Sequence, residues 1–258
     1  MKSLVFDIGN TDITIGVGYG AEWQHVFRLP SDLSKKSVYY FDSLRTLFLE
    51  HHLAFDKLEL VVISSVVPDL TGQIQEAIHN LTEQKAIVLQ AETFSKLPIT
   101  VLNPEQIGSD LVCNALAAFT HYKTACLVVD FGTALTFTTI TDDGQIAGVA
   151  ILPGLKTSIK ALTQNTARLF EVPLKVPASV LGKDTTHAIQ AGVLIGYEGL
   201  VLHMINRIKT ELNKPDLPVM ATGGLSSILP IVKDTFTDVN PMLTLDGLRL
   251  AGEILKSS

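Results

Sequence analysis

The sequence predicts an α/β fold of two related domains, and three observations carry that prediction. Leu4 to Ile8 and Leu127 to Phe131 are apolar runs, each interrupted by one aspartate and followed by a glycine and small polar residues. Their aspartates, Asp7 and Asp130, lie 123 positions apart (7 to 130). Each run opens a set of three short strands that gives way to strand–helix alternation, so one order of elements occurs twice. Late in the chain a glycine pair, Gly223-Gly224, follows a short apolar strand and precedes a helical pattern. The expected domains are 1–116 and 117–258, with mixed sheets flanked by helices.

In the first half, strands are expected at 4–8, 13–17 and 23–29, with glycines at 16, 18 and 20 marking the turns. A helix is expected from Asp32 to Leu53, capped by Ser31 or Asp32, with Val38, Phe41, Leu44, Leu47 and Phe48 as its apolar positions. Leu58 to Ser64 is a continuous apolar strand of the kind covered on both faces. Pro68 opens a helix to about Leu81, Ala86 to Leu89 is a short strand, and 107–122 is a helix. In the second half, strands are expected at 125–130, 134–140 and 145–151, and helices at 155–168 and 183–213. A strand at 218–221 and helices near 225–233 and 244–256 complete the pattern.

Composition narrows the function. Hydrophobic residues make up 47% of the chain, enough for substantial cores. The net charge of −6 and the absence of a basic cluster argue against nucleic acid or an anionic membrane as partner. No uninterrupted apolar run reaches the roughly 18 residues of a membrane span, and Asp7 breaks the only apolar run at the N-terminus, so no signal peptide is expected. Cys113 and Cys126 lack metal-ligand spacing and fit buried, reduced thiols of a cytoplasmic protein. The seven histidines form no ligand pattern, and His51-His52 closes a helix, where positive charge suits the dipole.

The two aspartate turns have a shared chemistry. Glycine lets the chain turn where a side chain would clash. The turn then presents backbone N–H groups and hydroxyls that suit phosphate oxygens. An aspartate in an apolar strand needs a cation or a hydrogen-bonding partner. Ala221-Thr222-Gly223-Gly224 adds a strand-to-helix junction that favours an anion or a nucleoside edge. Together the three elements have the order of the nucleotide site in the actin-like and sugar-kinase superfamily. They predict two actin-like (ribonuclease H-like) domains with a nucleotide cleft between them, outside the carboxyl ends of the strands.

At higher resolution the sequence resembles the type III pantothenate kinases over essentially its whole length. The stretches that carry the resemblance are Asp7-Ile8-Gly9-Asn10-Thr11, Ser64-Ser65-Val66-Val67-Pro68, Asn103-Pro104-Glu105-Gln106-Ile107-Gly108-Ser109-Asp110 and Asp130-Phe131-Gly132-Thr133-Ala134. Leu152-Pro153-Gly154-Leu155, Gly182-Lys183-Asp184-Thr185, Ala221-Thr222-Gly223-Gly224 and Leu243-Thr244-Leu245-Asp246-Gly247-Leu248 continue it.

The resemblance implies ATP-dependent phosphorylation of pantothenate at its primary hydroxyl, the first step of coenzyme A synthesis. It implies a cytoplasmic homodimer that uses Mg²⁺ and a monovalent cation, K⁺ or NH₄⁺. Carried over by position, Asp7 orients Mg²⁺ through water, and Ile8, Gly9, Asn10, Thr11 and Asp12 form the phosphate turn. Thr133 also binds phosphate, and Gly223 and Gly224 line the adenosine end. Asp130 is a ligand of the monovalent cation. Gly108, Ser109, Asp110, Leu111, Val101 and Thr185 fall at acceptor-binding positions, with Thr185 offered across the dimer interface. Asp110 matches the general base, a role suited to a carboxylate that aligns an alcohol and takes its proton as the bond to phosphorus forms. Read from the residues alone, an N-cap ahead of the apolar run at 111–119 is the favoured role of Asp110, and the resemblance is what puts the base reading first.

Two positions depart from the family pattern. Leu111 stands where an arginine commonly follows the aspartate, and Val101 stands where an aromatic, usually tyrosine, precedes Pro104 by three residues. A guanidinium–carboxylate contact is worth about 1.5–3 kcal/mol, and Lys183 is the nearest substitute in the motifs. Two other readings follow from these departures: a non-catalytic, ATP-binding regulatory homologue, and a kinase for another small alcohol.

Overall fold

The computed structural model describes residues 1–55, 57–166, 168–226 and 234–257. The chain divides into two compact units, one formed by Met1–Ala117 with Leu243–Ser258 and the other by Ala118–Met242. The last helix therefore belongs to the first unit, a difference from the boundaries 1–116 and 117–258 expected from sequence, which place it in the second.

In the first unit, β1 (Lys2–Ile8), β2 (Asp12–Tyr19) and β3 (Glu22–Pro30) form an antiparallel meander. β4 (Leu60–Ser65) pairs parallel with β1, and β5 (Ile87–Val88) parallel with β4, giving the sheet order β3-β2-β1-β4-β5. Helices α1 (Ser37–Glu50), α2 (Pro68–Thr82), α3 (Ala91–Phe94) and the part of α4 (Ser109–Tyr122) up to Ala117 accompany it, with α8 (Leu243–Ser257) returning from the end of the chain. In the second unit, β6 (Cys126–Phe131), β7 (Ala134–Ile140) and β8 (Ile146–Pro153) repeat the meander. β9 (Val219–Thr222) and β10 (Asp238–Val239) add in parallel, in the order β10-β9-β6-β7-β8. Reversed, that is the order of the first sheet, so the repeat read from the aspartate turns is a repeat of topology.

Four local departures have physical causes. Helix α1 starts at Ser37 instead of Asp32 because the Asp32 carboxylate accepts from both the N–H and the hydroxyl of Ser34, at 2.9 and 2.7 Å, which holds a turn there. Its buried face is Tyr40, Leu44 and Phe48, and Val38 is 67% exposed. Helix α5 (Leu155–Gln164) stops short of 168 because Asn165 and Thr166 donate side-chain hydrogen bonds to the carbonyls of Ala161 and Leu162. The helix expected over 183–213 is α6 (Thr185–Gln190), a π-helical turn (Ala191–Ile195) and α7 (Gly196–Glu211), with Asp184 capping its start through the His187 N–H. Of the helix expected near 225–233, residues 225 and 226 form a turn and the remainder lies outside the described residues.

Thr185–Glu211, taken as one helix, is long and apolar enough to cross a membrane, the only such helix among the described residues. Apolar runs alone had not indicated it, because Glu198, His203 and Arg207 interrupt them. Here Val193, Leu194, Val201 and Ile205 are buried in one cluster with Leu127, Val129 and Phe137 of the second sheet, so the helix is a core element of that unit.

Helix α8 closes the first unit by unusually near approach. A Cβ added at Gly247 would stand 2.0 Å from the Cys113 carbonyl oxygen, and one at Gly252 2.3 Å from Val62 Cγ2. Thr244 donates to Asn114 Oδ1 at 2.9 Å, and Trp23 Nε1–H to Asp246 Oδ1 at 2.8 Å. Gly247→Ala must push the helix off α4, and overpacking of that kind costs about 1–3 kcal/mol. The expected result is a urea midpoint lowered correspondingly with an unchanged slope.

Candidate functional site

In the first unit the phosphate-type turn is a tight hairpin. Gly9 N–H donates to the Asp12 carbonyl at 3.0 Å, and Ile8 and Ile13 pair across the strands below it. Asn10, Thr11 and Asp12 are exposed at its tip. The turn is braced from behind: Ser31 donates its hydroxyl to the Gly9 carbonyl and its N–H to the Thr11 carbonyl. Asp7 is half-buried and stands beside Thr14 on β2 and Ser64 on β4, so all three side chains leave the same face of the sheet.

The start of α4 reaches this face through a hydroxyl bridge. Ser64 Oγ and Ser109 Oγ lie 2.8 Å apart and buried, and Ser109 Oγ also accepts the Ser65 N–H at 3.2 Å. Ser109 is thus tied to the carboxyl end of β4, which places the next residue, Asp110, at that end. Asp110 lies inside the first helical turn, and its Oδ1 accepts the Leu111 N–H at 2.9 Å. Burial lifts its carboxyl above the ordinary range, and the amides of Leu111 and of Asp110 itself offset only part of that. The Cys113 thiol is raised well above its usual value by burial and by the charges of Asp7 and Asp110, so both carboxylates share its neighbourhood. Gly108 leaves room for Asp110, since a Cβ there would sit 2.3 Å from Asp110 Oδ1. One partly buried carboxylate, raised in pKa, therefore shares the surroundings of Cys113 with a second, Asp7, which lies just before the exposed turn at Asn10 to Asp12. That arrangement can accept a proton at one group and hold a cation at the other.

Leu111 is 8% exposed and packs in the first unit, whereas Val101 lies in the irregular loop between α3 and α4 and is half-buried. No hydrogen bond draws Val101 to Asp110 among the described residues.

The second unit repeats the turn with different bracing. Gly132 N–H donates to the Ala134 carbonyl at 3.1 Å, and Thr133 is exposed at the tip. The Thr133 carbonyl accepts the Gly154 N–H at 2.9 Å and the Thr157 hydroxyl at 2.7 Å, which fixes the turn against the start of α5. Asp130 is half-buried between Thr136 on β7 and Thr222 on β9. Gly223 has φ +89°, and a Cβ there would meet Asp130 Oδ1 at 2.5 Å and the Phe131 backbone at 2.7 Å. Gly224 is exposed in the turn that follows. Asp130, Thr133 and Gly223 therefore converge at the carboxyl ends of β6 and β9.

Thr185 is exposed at the first position of α6, on a separate open groove of about 660 Å³. Leu162, Gly182, Lys183, Asp184 and Gly192 also line it. Val180 and Leu181, close by in the chain, are 64% and 74% exposed.

Nothing in the local sequence pattern marks Ser64, the hydroxyl bridge of Ser109, Thr136 or Thr157. The two serines lie within the motifs that carry the resemblance, but only the parallel pairing of β1 with β4 shows what they meet.

The family model that matches residues 3–207 is described as type III pantothenate kinase. A type III pantothenate kinase of Pelobacter propionicus is 36% identical over 250 residues, covering 97% of this chain and 98% of its own. One of a Roseiflexus species is 38% identical over 254 residues, covering 98% and 99%. Among solved structures, a Campylobacter jejuni protein described with the Baf family of transcriptional activators has a TM-score of 0.57 at 21% identity, covering 98% of both chains. The activator of 2-hydroxyisocaproyl-CoA dehydratase from Clostridium difficile, with bound ADPNP, has a TM-score of 0.53 at 10% identity, covering 100% of this chain and 97% of its own. At those identities the structural likenesses establish the fold, which is the actin-like α/β class.

Proposed function

The chain belongs to the type III pantothenate kinase family, and from that premise we infer that it transfers the γ-phosphoryl group of ATP to the primary hydroxyl of pantothenate. The product is 4'-phosphopantothenate, in the first step of coenzyme A biosynthesis. The observation that carries the reading is Asp110, a carboxylate of raised pKa fixed near Asp7 at the end of the first sheet.

The chemistry follows from these positions. The acceptor oxygen attacks phosphorus, the bond from phosphorus to the bridging oxygen of ADP breaks, and the hydroxyl proton passes to the Asp110 carboxylate. A carboxyl of raised pKa holds that proton better than an ordinary aspartate. The backbone of Ile8, Gly9, Asn10, Thr11 and Asp12 binds phosphate in the first unit and Thr133 in the second, while Gly223 and Gly224 give the adenosine end a close backbone approach.

Asp7 fits a hard cation, as an oxygen donor among hydroxyls. Among the described residues no three His, Cys, Asp or Glu side chains are placed to hold one metal ion, so Asp7 would orient Mg²⁺ through water and the ion would offset phosphate charge. Asp130 fits a monovalent cation as a half-buried carboxylate whose Oδ1 takes the space that the missing Cβ of Gly223 leaves. Such cations, when bound, offset the negative charge of the phosphates. A homodimer would cover the exposed apolar residues beside the Thr185 groove and bring that hydroxyl to acceptor. Two buried, unpaired cysteines suit the cytoplasm.

The test is ADP release by the purified protein with ATP and Mg²⁺, with and without K⁺, over a panel of alcohols. The reading requires release that depends on both pantothenate and K⁺. ATP binding without release, or equal release with unrelated alcohols, would replace it with the regulatory homologue or the other alcohol kinase. Thr185→Ala is expected to raise KM for pantothenate about tenfold, the worth of one hydrogen bond of about 1.4 kcal/mol, and to leave KM for ATP unchanged.

A further inference from the structure

We propose that the hydroxyls of Thr136 and Thr222 complete, with Asp130, an oxygen-lined site for a monovalent cation on the face of the second sheet opposite its core. The inference rests on the reading of Asp130 as a cation ligand and supplies the side chains that would finish the site.

Strand alternation separates the two faces. Leu127, Val129 and Phe131 on β6, Leu135 and Phe137 on β7, and Val219 and Ala221 on β9 all belong to the buried cluster of this unit. Asp130, Thr136 and Thr222 alternate with them and so leave the other face. Register then brings the three together. Asp130 is directly opposite Thr136 in the antiparallel pair and directly opposite Thr222 in the parallel pair, and partners so placed have Cβ atoms about 5 Å apart. The place at which a Gly223 Cβ would contact Asp130 Oδ1 shows that the carboxylate leans toward the end of β9, where Thr222 sits.

Both threonine side chains are withdrawn from solvent, Thr136 being 8% and Thr222 1% exposed. Neither Oγ1 has a hydrogen-bond partner among the described residues. A buried hydroxyl left unsatisfied is costly, and here two of them flank a single carboxylate. An ion bound by all three oxygens satisfies both hydroxyls. One carboxylate with two neutral oxygens matches a singly charged, readily dehydrated ion. Mg²⁺ fits less well, because it demands near-ideal octahedral geometry and keeps its waters.

The test uses thallous ion as a K⁺ surrogate, titrated into the full chain and followed by ²⁰⁵Tl NMR, with K⁺ as competitor. Wild type, Asp130→Asn, Thr136→Val, Thr222→Val and Thr222→Ser are compared, and near-UV circular dichroism without added cation shows which variants keep the fold. The expected result is saturable binding displaced by K⁺, lost in Asp130→Asn and weakened about tenfold or more in each valine variant, with Thr222→Ser close to wild type. If the folded valine variants bind like wild type while Asp130→Asn does not, the hydroxyls are not ligands and the Asp130 reading stands. If Thr222→Ser loses as much as Thr222→Val, packing is responsible and the proposal fails. If wild type does not bind, or Asp130→Asn binds equally, the cation reading of Asp130 falls and the proposal with it.

Discussion

Asp110→Asn is expected to lower kcat by about 10²- to 10⁴-fold, the usual contribution of a general base, with little change in KM for ATP. The amide keeps an oxygen that can accept the Leu111 N–H, so the turn is preserved and only proton acceptance is lost. The pH profile separates this role from a merely structural one. A base works deprotonated, so the wild-type rate should fall as pH drops through the Asp110 pKa. Burial sets that limb above the position of an ordinary carboxylate, and it should be missing from the residual rate of the variant. Stability should move the other way. The folded pKa is raised above the unfolded value of 3.8, so the native state binds the proton more tightly. Its buried charge then costs stability as pH rises past 3.8 toward the folded pKa, and the full cost persists above it. Asn carries no such charge. The variant should therefore melt higher than wild type at pH 7, and the advantage should vanish below about pH 4. A variant that kept wild-type turnover would remove Asp110 from the mechanism.

Gly223→Ala is expected to destabilise the second unit strongly. Its backbone occupies φ +89°, where a side chain is strained by about 1–3 kcal/mol. The new Cβ would also stand 2.7 Å from the Phe131 backbone and 2.5 Å from Asp130 Oδ1. Overpacking adds about 1–3 kcal/mol, so the loss of stability should reach roughly 2–6 kcal/mol in all. Because the clash moves Asp130, cation dependence should weaken in whatever folded protein remains, even where ATP still binds. Denaturant unfolding with and without K⁺ reads both effects. A midpoint within 0.5 kcal/mol of wild type, the scatter of ordinary surface substitutions, would show that the glycine is replaceable.

Much of this is legible in the sequence, for reasons particular residues make plain. The aspartate turns announce themselves because a glycine and a buried-strand pattern leave few alternatives at Gly9 and Gly132. The short strand before Gly223 is likewise visible from its apolar run. Helix α1 begins late because Asp32 spends its carboxylate on Ser34, and capping residues look the same in sequence whether they start a helix or hold a turn. The allegiance of α8 was hidden because it depends on contacts such as Gly247 against Cys113, far apart in the chain. Thr136 and Thr222 were equally hidden. Only the register of β6 against β7 and β9 sets them beside Asp130. The same holds for Ser109, whose hydroxyl meets Ser64 through a helix start and a strand end that local patterns do not relate.

Leu111 stands where the resemblance leads to an arginine, and its side chain is buried in the first unit. The most direct measurement is therefore of the product itself. Wild-type protein would be incubated with ATP, Mg²⁺, K⁺ and pantothenate and followed by ³¹P NMR. The account predicts a new phosphomonoester resonance, coupled to the methylene protons of the former primary alcohol, growing with ADP and absent on the same timescale with Asp110→Asn. Intact ATP, or inorganic phosphate without the phosphomonoester, would contradict it.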